Sequence, residues 1–411
     1  MALAALAGAV YLWLASDGTF RFARSTYPHH VLIADAWLHG QLHARPEALK
    51  EAGREALLDW TVIEGRRYGY WGPAPAVLLL PYVAVKGLAA SDRLAGALVG
   101  ALTVLLIYLV LRELARLGAA DITAPVAAAV AVLFAFGTVH LYVAPAGWVW
   151  MLSQVVAAFF FTLAVWAVLR CDLSWWWAAA AGAAFGASLL SRYSEAFAGL
   201  FFPIALIAAA RAPGAGWRPR LARLGTAFAV PVLLAAQAAL AYNRARFGHA
   251  LETGVARQAE TGGHPRFRED YRRYGAFHPH FVPKNAYYYF LNPKLRRHPK
   301  SGERTFDPEG NSLFLVTPAL LYALRPPRRR HWAIAAARAG CAACLAMLLL
   351  YFGTGYYGFG NRYLLDLLPL AMVLVAAGLR GRLAPLALAA IGLSVAVNAW
   401  GAWRFLHEAP W

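Results

Sequence analysis

Apolar runs of roughly 15–23 residues, each closed by charge, proline or glycine, dominate the chain. They are Ala2–Ala15, Leu94–Leu111, Ala124–Val143, Val149–Leu169, Trp175–Leu190, Ala196–Ala210, Leu221–Tyr242, Leu313–Leu324, Trp332–Phe352, Leu364–Leu379 and Leu383–Trp403. Lipid offers nothing to backbone N–H and C=O groups, so each run is predicted to be a helix. One further apolar stretch, Pro73–Ala89, carries Pro73, Pro75 and Pro81 and has Lys86 near its end. Laid along the outer surface, it leaves eleven spans with the N-terminus inside and the C-terminus outside. The inner loops then hold Arg112, Arg116, Arg170, Arg211, Arg218, Arg220, Arg223, Arg325, Arg328, Arg329, Arg330, Arg380 and Arg382, and the short outer loops only Arg192 and Arg362. That asymmetry obeys the positive-inside rule, and letting Pro73–Ala89 span would invert it. Ala2–Ala15 has no charged segment before it and reads as a shortened first helix rather than a signal peptide.

Residues 1–411 therefore read as a single all-α polytopic membrane domain with two long outer loops, 16–93 and 243–312. The first loop alternates amphipathic pieces, Tyr27–Leu42 and Pro73–Ala89, around a polar stretch, Ala44–Arg67. The second is strongly basic from Arg244 to Arg304 and carries the aromatic run Tyr287–Phe290, suited to a membrane interface.

Composition changes this picture little. Of 411 residues, 60% are hydrophobic and 15% charged, against about half and a quarter in a soluble domain. The formal charge of +18 suggests nucleic acid, but the basic residues sit in connectors between membrane-length runs. An aromatic content of 14% excludes disorder, and three cysteines exclude a disulfide scaffold.

Local motifs are mostly structural. Gly96/Gly100 and Gly182/Gly186 are small-residue spacings that let helices approach closely. Cys341 and Cys344 lie in an apolar span and read as filler, and Trp175–Trp177 as an aromatic belt. Asp35, His39 and His43 recur at spacings of four, which on a continuous helix could make a metal site. Gly40 weakens that helix and no fourth ligand is evident, so an interfacial polar face is preferred and no metal ligand is assigned. No nucleotide-binding or hydrolase motif occurs. Ionisable residues at helix ends carry more information. Arg192 and Glu195 sit three apart in Leu189–Glu195. Arg362 lies at the mouth of a span in Gly355–Asp366, with Tyr357, Asn361 and Asp366 beside it. An arginine held there suits a phosphate, against the plainer readings of snorkelling or an Arg–Asp pair.

The stretches Ala34–Gly40, Tyr68–Ala76, Gly186–Arg192 and Gly358–Leu365, in this layout, resemble the GT-C superfamily of membrane glycosyltransferases. The resemblance is nearest to bacterial members related to protein O-mannosyltransferases, the aminoarabinose transferase and rhizobial lipopolysaccharide glycosyltransferases. It implies inverting transfer of a sugar from a polyprenyl-phosphate donor to a cell-envelope glycan, lipid or protein, on the outer face of a bacterial inner membrane. No cofactor is implied, a divalent metal is not supported, and nucleic acid is not a partner. A carboxylate of the first outer loop would be the general base: Asp35 first, Asp17 second. Arg192, Arg362, Tyr357, Asn361, His29 and His30 would bind substrate. The acidic residue that the family carries in the next outer loop has no counterpart in Val143–Trp150. A transporter, flippase or non-catalytic partner in lipid-linked glycan metabolism is the competing class. Such a protein should carry polar residues at mid-span, where here only Gln154, Gln237 and Asn398 are scattered.

Overall fold

The computed structural model describes every residue except 173, 212–215, 262–264 and 408–411, with the side chains of 260–261 and 265–267 also left undescribed. The chain opens with α1 (Ala2–Ala15), followed by α2 (His29–Leu38), α3 (Pro46–Ala52) and a hairpin of β1 (Thr61–Ile63) and β2 (Arg66–Tyr68). Then come α4 (Ala74–Lys86), α5 (Asp92–Arg116), α6 (Ala124–Phe136), α7 (His140–Ala146), α8 (Val149–Val168) and α9 (Trp175–Leu189). The second half holds α10 (Glu195–Ala198), α11 (Phe201–Ala210), α12 (Trp217–Phe247), α13 (Val255–Thr261), α14 (Pro265–Tyr274) and α15 (Val282–Ala286). A second hairpin, β3 (Arg296–Arg297) with β4 (Arg304–Thr305), precedes α16 (Leu313–Val316), α17 (Trp332–Leu350), α18 (Leu368–Leu379) and α19 (Pro385–His407).

Among the described residues, five helices are long and apolar enough to cross a bilayer: α5, α8, α12, α17 and α19. A sixth crossing arises if α6 and α7, bent by 55° at their junction, are counted together. The chain is a multi-pass membrane protein, but the expected count of eleven spans is not reproduced. Several of the expected runs are short or broken. Leu313–Leu324 divides into α16 and a 3-10 turn, Pro318–Leu324, because Pro318 cannot continue the α-helical bonding. Leu364–Leu379 begins as a 3-10 turn, Arg362–Asp366, before the 12 residues of α18. In the opposite sense, α12 runs 31 residues, beyond both expected ends of its span.

The centre of the bundle is α18, every residue of which is buried, flanked by α8. The outermost helix, α12, exposes Leu233 and Leu234 at 60% each, as a lipid-facing surface does. Both small-residue pairs are packing contacts. A Cβ on Gly96 would come within 2.5 Å of the Ala144 carbonyl, and one on Gly182 within 2.1 Å of the Phe228 carbonyl.

Breaks inside the bundle are sealed by side chains. At the α6–α7 bend, Tyr11 donates to the Ala135 carbonyl at 2.9 Å, Thr138 to Phe134 at 2.8 Å, and Thr317 to Gly137 at 2.9 Å. Below α16, Asn398 donates to the Val316 carbonyl at 2.8 Å and the Ser394 hydroxyl accepts from the Ala319 amide at 3.1 Å.

The first long loop is tied down at its ends. Buried Asp92 accepts from the Ser25 amide and hydroxyl, both at 2.7 Å, and Ser91 donates to the Ala23 carbonyl at 2.7 Å. Near its middle, Arg246 at the end of α12 donates to the carbonyls of Gly69 and Trp71. A Cβ on Gly72 would meet the Leu190 carbonyl at 2.0 Å, so this loop lies directly on the end of α9.

Two outcomes follow. Gly182→Val should abolish recovery of monodisperse protein in detergent, whereas Gly225→Ala, where a Cβ meets nothing within 4 Å, should leave it unchanged. In a background lacking the three native cysteines, Ala89→Cys, which is exposed, should react with an impermeant thiol reagent added outside intact cells. Reaction only after lysis would reverse the topology.

Candidate functional site

The end of the bundle that carries both long loops gathers the two outer arginines, Arg192 and Arg362. Its fixed point is Arg362, 3% exposed. The Gln154 amide holds it from both directions, donating to the Arg362 carbonyl at 2.7 Å and accepting from its guanidinium at 3.1 Å. The guanidinium also donates to the carbonyls of Gly355 at 2.9 Å and Tyr356 at 3.3 Å. Gly355 has φ +96°, and a Cβ there would lie 3.2 Å from the Tyr363 ring, so glycine is what lets this carbonyl turn toward the arginine.

Arg192 reaches the same place from the end of α9. Its guanidinium carbon lies 5.2 Å from the Tyr363 ring centroid and that of Arg362 lies 4.8 Å from it, so the two are at most about 10 Å apart. Arg192 is paired with Asp366 at 3.0 Å and is 17% exposed at its side chain. Both arginines thus share the Tyr363 ring, which is narrower than the expected shared phosphate cavity. Each is already bonded within the protein.

The two first-loop acids favoured from sequence are each paired with an arginine. Asp35, on α2, is buried and closed by Arg45 through contacts of 2.8 and 3.1 Å. His39 bonds the Asp35 backbone carbonyl at 2.8 Å and His43 packs on Tyr68, so Asp35, His39 and His43 do not converge. Asp17 is closed by two contacts of 2.9 Å from Arg93, which hold its carboxyl below the usual range.

A third first-loop acid is Asp59, which the sequence alone did not single out. It follows a 3-10 turn, Glu55–Leu57, and precedes β1, at a backbone φ of +60°, a rare state for a residue other than glycine. Gln258 of α13 donates to its Oδ1 at 2.8 Å. Burial raises its pKa above the usual carboxylate value, against hydrogen bonds from Gln258 and Trp150 and the nearby charge of Arg362. Only its position between Leu58 and Trp60 in the polar stretch of the loop hinted at Asp59.

Aromatic rings floor this region. His29 stacks on Trp60 with centroids 4.6 Å apart, and Trp71 meets it edge-on at 5.0 Å. His30 bonds the Ser153 hydroxyl at 2.8 Å. Burial lowers the pKa of His29 to about 4 and of His30 to about 3, so both imidazoles are neutral at pH 7 and support the floor rather than adding charge. Tyr357 packs among Trp148, Phe306 and Phe405, and Asn361 donates to the carbonyls of Tyr288 and Asn311, so both fasten the Gly355–Asp366 loop to its neighbours. Among the described residues, no three His, Cys, Asp or Glu side chains could hold a metal ion.

At the level of sequence, no protein-family model and no curated protein matches the chain. The architecture does match known structures. The oligosaccharyltransferase AglB of Archaeoglobus fulgidus, in complex with an inhibitory peptide and a dolichol-phosphate, aligns with TM-score 0.55 and 14% identity, over 100% of this chain and 56% of that one. The apo crystal structure of the oligosaccharyltransferase from the same organism gives 0.53 and 14%, over 98% and 55%. The chain shares the fold of these archaeal oligosaccharyltransferases over nearly all of its own length, and spans a little over half of theirs. ArnT from Cupriavidus metallidurans bound to undecaprenyl phosphate aligns more loosely, at TM-score 0.48 and 16% identity over 97% of this chain and 62% of that one.

Gln154→Leu should leave the buried Arg362 carbonyl and guanidinium each short of a partner. A loss of about 1–3 kcal/mol is expected, read as a lowered midpoint of thermal unfolding in detergent.

Proposed function

We propose that the protein is a GT-C glycosyltransferase that takes a sugar from a polyprenyl-phosphate carrier and passes it to a hydroxyl-bearing acceptor on the outer face of the membrane. The observation that carries this reading is that Arg192 and Arg362 both lie against the Tyr363 ring at the loop-bearing end of the bundle. A dolichol-phosphate in the AglB complex supports a lipid-phosphate carrier.

In this reading Asp59 is the general base. Its carboxylate takes the proton of the acceptor hydroxyl as that oxygen bonds to the anomeric carbon. The bond between the anomeric carbon and the phosphate oxygen breaks from the opposite face, inverting the centre, and its electron pair stays on the phosphate. Arg362 stabilises that charge at no cost in reorganisation, because Gln154 and two carbonyls already fix its guanidinium. Arg192, 5.2 Å from the same Tyr363 ring, lies beside this site paired with Asp366. A pKa raised by burial makes Asp59 a better base than an ordinary aspartate. Asp17, held low by Arg93, is a poorer one.

The test is sugar transfer from synthetic polyprenyl-phosphate sugars by purified protein in nanodiscs. Asp59→Asn should reduce turnover by about 100- to 10,000-fold while the protein still binds polyprenyl phosphate. Asp35→Asn should cost much less. In the wild type, transfer should fall as pH drops through the Asp59 pKa, and this acid limb should lie above the ordinary aspartate value. Wild-type turnover in Asp59→Asn would overturn the assignment.

A further inference from the structure

Arg192 is shared by two carboxylates, and only one of them bonds to it. Asp366 Oδ2 accepts from Arg192 at 3.0 and 3.3 Å and from the Ser194 hydroxyl at 2.7 Å. Among the described residues, its Oδ1 has no hydrogen-bond partner, and neither has either oxygen of Glu195. Glu195 is 0% exposed and Asp366 1%. Beside them stands an independent third group, the hydroxyl of Tyr289. Its side chain is 0% exposed, the oxygen has no partner, and it lies within electrostatic reach of Asp366.

The charges here do not balance. The charged groups facing Glu195 are Asp366 and Arg192, two negative with one positive. Among the described residues of the helices packed against α10, α17 carries Cys341, Cys344 and the solvent- or lipid-exposed Arg338, and α9 has no titratable residue. A water molecule could satisfy the orphan oxygens but would not neutralise an uncompensated buried carboxylate, which is among the most costly groups to place in a protein interior.

We propose that Glu195, Asp366 and Tyr289 enclose a site for one small cation, a proton or a sodium ion, that supplies the missing charge. As a proton it resides on the carboxyl pair and belongs to both residues. As a sodium ion it takes oxygen ligands from the carboxylates and the phenol, the donor type that hard cations select. Because Asp366 also grips Arg192, occupancy of this site sets how firmly that arginine is held.

The experiment compares wild type, Glu195→Gln and Tyr289→Phe by thermal unfolding in detergent, in sodium chloride and in choline chloride of equal ionic strength, and by infrared absorption of protonated carboxyl groups. If the cation is sodium, the wild-type midpoint rises in sodium over choline, the rise shrinks in Tyr289→Phe and it disappears in Glu195→Gln. If it is a proton, the midpoint ignores sodium. The wild type then shows a protonated-carboxyl band that Glu195→Gln lacks and Tyr289→Phe shifts in frequency. A wild type with neither a sodium response nor a protonated-carboxyl band would overturn the proposal, whether or not the variants fold. So would a Glu195→Gln protein that matches the wild type in both readouts. Neither readout depends on sugar transfer.

Discussion

A helix that breaks inside a bilayer must hand its freed carbonyls to some other donor, and much of this architecture is organised by that requirement. Tyr11, Thr138 and Thr317 cover the carbonyls around the α6–α7 bend. Asn398 and Ser394 cover the broken segment that follows α16. The polar residues scattered along the spans are therefore largely structural. Gln154 belongs to the same class, with one difference: the carbonyl it satisfies is that of Arg362, so sealing a break also fixes a cation.

That link between backbone repair and charge placement explains why the loop-bearing end is specific. Arg362 stays where it is because three carbonyl-type oxygens surround it, and one of them depends on a glycine with positive φ. Asp59 is held by groups from separate parts of the chain, Gln258 of the second long loop and Trp150 of α8. The region facing Tyr363 is thus assembled from both loops and the bundle beneath them.

The helical membrane class was legible because it rests on a local pattern, hydropathy, and Arg192 and Arg362 stood out as cations at span mouths. The breaks in Leu313–Leu324 and Leu364–Leu379 were not, because an apolar run looks the same whether its helix is whole or interrupted. Nor could sequence rank the acids. Whether Asp35, Asp17 or Asp59 is free to act depends on which arginine reaches it. Arg45 lies ten residues from Asp35 and Arg93 lies 76 from Asp17, and nothing in the local pattern of either acid announces its partner. The surroundings of Asp59 come from Gln258, Trp150 and Arg362, all remote in sequence.

The length of α12 has a mechanical meaning. At about 1.5 Å per residue, its 31 residues extend roughly 46 Å, against a hydrocarbon layer of about 30 Å. Its end therefore stands clear of the acyl chains, and there Arg246 clamps the carbonyls of Gly69 and Trp71. The helix acts as a ruler: the height of the first loop above the lipid is set by a rigid rod rather than by slack chain. A thicker or thinner bilayer would change how far the rod protrudes. Adding or removing one helical turn beyond the apolar stretch would move the clamp by about 5 Å and the loop with it.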